Sequence, residues 1–122
     1  AMDPITDRTN IMYTMHFYAG THKQWLRDRT DAAMEKGIPI FVSECAGMEA
    51  TGDGPIDEAE WNQYINWMED RKISWIAWSV SDKNESCSML IPRASSYGNW
   101  TDDVLKTWGK ITRQTIRDKQ AE

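Results

Sequence analysis

Three short apolar runs separated by helical patterns constrain this chain more than any other feature. Ile11-Met12-Tyr13-Thr14-Met15-His16-Phe17-Tyr18 is β-branched and aromatic and reads as a strand. Ile38-Pro39-Ile40-Phe41-Val42 has the length of a strand buried on both faces. Ser74-Trp75-Ile76-Ala77-Trp78-Ser79-Val80 is the third. After the first run, Thr21 offers an N-cap with Gln24 three residues on, a capping box. The helix so started passes through Trp25, Leu26, Arg29 and Ala33 and stops at Gly37, the C′ position. After the second run and a glycine-rich loop, Asp57 caps a helix with Glu60 at N3, and Ile56 and Trp61 are spaced as a hydrophobic staple. Trp61, Tyr64, Ile65 and Met68 form its buried stripe. A polar loop from Ser81 to Asn99 follows the third run. Thr101 then caps a last helix with its stripe at Val104, Leu105, Trp108, Ile111 and Ile116.

Helices of this length between strands imply right-handed crossovers and a parallel sheet. Three parallel strands are too few to be covered, because helices on one side leave the other face and both edges bare. Period-2 alternation sharpens the point. It places Met12, Thr14, His16 and Tyr18 on one face, with Ile40, Val42 and Glu44, and Ser74, Ile76 and Trp78, on the corresponding faces. Each set changes from apolar or small to functional toward the carboxyl end, as the interior of a (β/α)8 barrel does. The expected class is α/β: a carboxyl-terminal partial TIM barrel of three parallel βα units, equivalent to strands six to eight. Residues 1–9 read as a lead-in, 10–118 as the domain and 119–122 as a tail.

Glu44 closes the second run, and the carboxyl ends of strands are where α/β folds bind ligands. It is the foremost candidate for chemistry. A net charge of −5 argues against nucleic acid, which wants a basic stripe. No run of about 18 apolar residues exists to cross a membrane. Ala1-Met2-Asp3-Pro4 lacks the charged and apolar regions of a signal peptide and reads as an expression scar. Cys45 and Cys87 are too few for a disulfide framework or a zinc site and are expected as free thiols. Seven tryptophans in an acidic chain lean toward carbohydrate, since flat aromatic faces stack on sugar rings.

Three motifs carry a family resemblance. They are His16-Phe17-Tyr18-Ala19-Gly20-Thr21-His22, then Val42-Ser43-Glu44, then Trp78-Ser79-Val80-Ser81-Asp82-Lys83-Asn84-Glu85-Ser86. Each is weak alone; in this order, at the ends of three successive strands, they are specific. From about Asn10 to Arg117 the chain resembles the carboxyl-terminal part of family 5 glycoside hydrolases, the endo-β-1,4-glucanases or cellulases. That resemblance implies that Glu44 is the nucleophile of a retaining mechanism, with His16 and Tyr18 flanking it and the Tyr18 hydroxyl bonded to its carboxylate. It makes Trp78 the platform under the sugar at the cleavage point, and Lys83 and Glu85 ligands of hydroxyls on the next sugar. It implies a β-1,4-glucan substrate, no metal or other cofactor, and a secreted parent enzyme. The family's proton donor, a glutamate after an asparagine, has no match, because the only Asn-Glu step, Asn84-Glu85, lies in the eighth loop. Cys45-Ala46 also departs from the family's usual aromatic residue and glycine.

On this reading the isolated chain is a cellulase fragment, inactive or weak on cellulose. The competing reading is a non-catalytic carbohydrate-binding or assembly module using the tryptophan-rich surface. Bare edges are expected to drive homo-oligomerisation. His22 is expected to start a helix. Asp53, Asp57, Glu58 and Glu60 are expected to serve loops and caps. Trp25, Trp61, Trp67, Trp75, Trp100 and Trp108 are assigned to packing or outer surface.

Overall fold

A computed structural model describes residues 3–120; Ala1 and Met2 of the expected scar, and residues 121–122 of the expected tail, lie outside the described residues. β1 (Tyr13–Tyr18), β2 (Ile40–Ala46) and β3 (Trp75–Ala77) form one sheet in the order β1-β2-β3, with both pairs parallel. The crossovers carry α1 (Gln24–Met34) and α2 (Glu58–Asp70), and α3 (Thr107–Gln120) follows β3 after a 3-10 turn at Asp102–Val104. This is the expected run of three βα units.

One face of the sheet is dry because α2 covers it with aromatic rings. Phe17 stacks on Tyr64 at 3.7 Å between centroids, and Trp61 meets Trp75 and Trp108 edge-on at 5.6 and 4.8 Å. Phe17, Trp61, Tyr64, Met68 and Trp108 are fully buried, which matches the stripe expected on α2. The opposite face is bare: Ile76 is 53% exposed and Trp78 45%. Both helices docked on the dry face also meet through charge. Buried Arg27 of α1 pairs with Glu60 of α2, bonds Gln24 and Gln63, and lies 4.5 Å from the centre of the Tyr64 ring.

Strand parity holds for β1 and β3 and fails in β2. Tyr13, Thr14 and Met15 pair with Ile40, Phe41 and Val42, but His16, Phe17 and Tyr18 pair with Glu44, Cys45 and Ala46. β2 therefore runs one residue longer than β1 there, and Ser43 is the extra residue of a β-bulge. Val42 sits opposite Met15 and Trp75 on the helix side, whereas Glu44 sits opposite His16 on the bare side. The expected common face of Ile40, Val42 and Glu44 does not exist. Alternation placed Glu44 correctly relative to His16 but misplaced the apolar residues before it.

Other local expectations shift for identifiable reasons. Asp57 does cap α2, accepting a 3.0 Å bond from the Glu60 backbone. Thr21 does not cap α1, which starts at Gln24 after Lys23; its hydroxyl instead accepts from Ala50 N–H at 2.9 Å, joining two loops. Thr101 precedes the 3-10 turn rather than α3. Leu105, expected on the helical stripe, bridges to Leu90 in extended backbone before α3 begins. β3 is shorter than Ser74–Val80 because its backbone changes partners. Trp78 N–H still donates to Cys45 at 2.8 Å, but Ser79 N–H donates to Cys87 and Met89 N–H returns to Ser79.

Candidate active site

At the carboxyl end of the bare face, β1 and β2 bring three expected residues together. The Tyr18 hydroxyl donates to Glu44 Oε1 at 2.6 Å, and His16 Nδ1 lies 3.6 Å from Glu44 Oε2. Tyr18 is nearly buried, and Glu44 keeps a quarter of its side chain open. Burial, and then the hydrogen bond to Glu44 and its charge, push the Tyr18 hydroxyl well above the ordinary phenol range. It therefore remains a donor. No other side chain among the described residues bonds Glu44.

Ser43 belongs to this cluster although alternation gives no sign of it. The bulge turns two successive side chains toward one ring: Ser43 Oγ lies 2.8 Å from His16 Nε2 and also bonds Thr14 Oγ1. The only sequence signal for Ser43 was its place inside the Val42-Ser43-Glu44 motif.

Trp78 leaves β3 with its backbone tied at both ends. Its N–H donates to Cys45, the residue after Glu44, and its carbonyl accepts from buried Trp108 Nε1 at 2.6 Å. The peptide bond to Ser79 is cis. The indole remains half-exposed on the bare face, free to stack on a flat partner. Lys83 and Glu85 meet at 3.4 Å, and Glu85 also accepts from Cys87 Sγ at 3.3 Å. Burial, followed by that bond, pushes the Cys87 thiol up to about 11. Burial and the neighbouring Glu44 charge raise Cys45 further. Both cysteines are free, as expected; both are also buried, and neither is a ready nucleophile.

The loop holding Lys83 and Glu85 is clamped from two elements. Ser86 N–H donates to Asp53 Oδ1 at 3.0 Å and its hydroxyl to the Gly54 carbonyl at 2.7 Å. Cys87 N–H bonds the Gly52 carbonyl, and Lys106 Nζ bonds the Lys83 carbonyl at 2.6 Å. Asp53 thus serves a loop, as its sequence position suggested. His22 accepts Tyr18 N–H at Nδ1 and points its ring toward Trp25, away from this cluster's bonds. Among the described residues no group of three acidic, histidine or cysteine side chains is placed to hold a metal.

Parallel βα units that carry a carboxylate, a phenol and an imidazole at their carboxyl end match an arc of a (β/α)8 barrel, whose active sites lie at that face. The Cellulase (glycosyl hydrolase family 5) profile matches residues 1–84. Endoglucanase 5 of Pectobacterium carotovorum subsp. carotovorum is 46% identical over 108 residues, covering 88% of this chain and 21% of that protein. A solved structure from Cytophaga hutchinsonii superposes with a TM-score of 0.95 at 42% identity, covering 98% of this chain and 39% of that one. The catalytic domain of Thermobifida fusca endoglucanase Cel5A, solved as a variant with cellotetraose, superposes at 0.84 with 33% identity, covering 91% and 36%. The chain belongs to glycoside hydrolase family 5, and its fold is a partial TIM barrel. It spans less than a quarter of the length of Endoglucanase 5.

Proposed function

We propose that this chain carries the nucleophile half of an endo-β-1,4-glucanase site, without its proton donor. Glu44 would attack the anomeric carbon, Trp78 would stack under the sugar at the cleavage point, and Lys83 and Glu85 would bind hydroxyls of the adjoining sugar. The observation that carries the reading is the 2.6 Å bond from Tyr18 to Glu44 Oε1, with Oε2 beside His16 and a quarter of the carboxylate side chain still open to solvent. Retaining hydrolysis needs a second, protonated carboxyl about 5–5.5 Å away to release the leaving oxygen. The family's donor is a glutamate that follows an asparagine, and the only such step in this sequence, Asn84-Glu85, lies in the loop after β3. General acid catalysis typically contributes about 10²–10⁴-fold, so cellulose should be turned over weakly or not at all.

An aryl cellobioside whose leaving group needs no proton tests this. Slow release of 2,4-dinitrophenolate is expected from the wild type and is expected to vanish in Glu44→Ala, with little or no hydrolysis of carboxymethyl-cellulose. Release that survives Glu44→Ala would remove Glu44 from the chemistry. Sugar binding indifferent to both Glu44→Ala and Trp78→Ala would favour the binding-module reading.

Two further parts belong to the same proposal. A glucan polymer is too large to enter a cell, so the hydrolysis it supports is extracellular. The bare sheet face and the free edges of β1 and β3 favour pairing with a second copy of this chain.

A further inference from the structure

We propose that Ser43 is a positioning residue that, by donating to Nε2, works with the Glu44 charge to hold His16 in the tautomer whose N–H faces Glu44; the role given to Glu44 above supplies its purpose. Glu44 Oε1 already receives the Tyr18 hydroxyl, and Oε2 faces His16 Nδ1 at 3.6 Å. A carboxylate only accepts, so a bare Nδ1 lone pair would face like charge, whereas Nδ1–H is attracted. With the proton on Nδ1, neutral Nε2 is an acceptor. Ser43 Oγ, 2.8 Å from Nε2, must then donate to it. Thr14 Oγ1, bonded to Ser43 Oγ, completes the chain by donating to the serine oxygen. The direction of both hydrogen bonds follows, Thr14 to Ser43 and Ser43 to His16, with the His16 Nδ1–H facing Glu44 at 3.6 Å.

This arrangement exists only because of the bulge. In a regular strand Ser43 and Glu44 would lie on opposite faces, and Ser43 could not reach the ring that Glu44 faces. Orientation of one ring nitrogen by a bond at the other is the general means by which histidine tautomers are chosen. The second histidine supplies an internal contrast. His22 Nδ1 accepts Tyr18 N–H at 2.8 Å, so His22 carries its proton on Nε2. The chain's two histidines should therefore hold opposite tautomers.

Long-range proton–nitrogen correlation on the nitrogen-15-labelled 122-residue chain at a pH of about 8.5, well above an ordinary histidine pKa of about 6.5, reads both rings at once. The expected result is protonated Nδ1 with bare Nε2 for His16, and the reverse for His22. Ser43→Ala should lose the Nδ1–H pattern of His16 in favour of Nε2–H or a mixture, with His22 unchanged as the sign of an intact fold. Ser43→Thr, which keeps the hydroxyl, should restore it. Wild-type His16 protonated on Nε2 would overturn the proposal, as would an unchanged His16 pattern in a folded Ser43→Ala. If the alanine variant fails to fold, the wild-type pattern and the threonine variant still decide. Neither readout depends on turnover, so a failed cellobioside assay and a failed tautomer assignment are separate results.

Discussion

A single arginine shows how much one residue can carry in this chain. Arg27 is 3% exposed although nothing in the sequence pattern of α1 marks it as buried, while Trp25 on the same helix is half outside. It is tolerable there because Glu60, two glutamine oxygens and the Tyr64 ring satisfy the guanidinium. Removing it strands the Glu60 charge, so Arg27→Ala is expected to cost about 3–5 kcal/mol in urea denaturation. Replacing Arg27 and Glu60 together by Met and Leu should cost much less. Asp57 carries a pH dependence. Its hydrogen bond from Lys23, and then the bond from the Glu60 backbone, hold its carboxyl below the usual range. A depressed folded value means stability that is present above the unfolded pKa of about 3.9 and is lost as pH falls through the folded one. Asparagine caps as well as aspartate but does not attract Lys23. Asp57→Asn should therefore unfold at lower urea than the wild type at neutral pH, and the two midpoints should converge in strong acid.

Elements in this fold are held by close approaches that tolerate no added atom. α3 reaches the loop after β3 through Gly109, where a Cβ would collide with the Met89 carbonyl oxygen. Gly109→Ala cannot be absorbed by a flexible side chain, and a loss of about 1–3 kcal/mol or more is expected by thermal unfolding. α2 is the keystone of the dry face. Trp61 touches Phe17, Trp75 and Trp108, rings from β1, β3 and α3. Trp61→Ala should cost about 3–5 kcal/mol and loosen all three units together rather than α2 alone. A stability loss confined to α2 in hydrogen exchange would contradict that role.

For the whole molecule, the decisive fact is a sheet with one face covered. Ile76, Trp78 and Val80 are exposed around the end of β3, and β1 and β3 each have a free edge among the described residues. Burying such apolar surface is worth roughly 25 cal/mol per Å². Sedimentation equilibrium should show a mass that rises with protein concentration, and Ile76→Lys with Val80→Lys should lower it. A monomer at all concentrations would show that the bare face needs no cover.

Three βα units, the N-cap and stripe of α2, and the place of Glu44 at a strand's carboxyl end were legible in sequence, because period and capping are local properties of the backbone. The pairing of Tyr18 with Glu44 rested on motif resemblance, and the structure supplies its length. Tertiary structure alone decided the rest. The Ser43 bulge comes from the register of two strands whose paired residues lie 27 or 28 positions apart in sequence, which no single-strand alternation encodes. Thr21 and Thr101 left their expected helix caps for a loop contact and a 3-10 turn. Arg27 went inside because partners on another helix satisfy its charge, and those partners meet it only once the chain has folded.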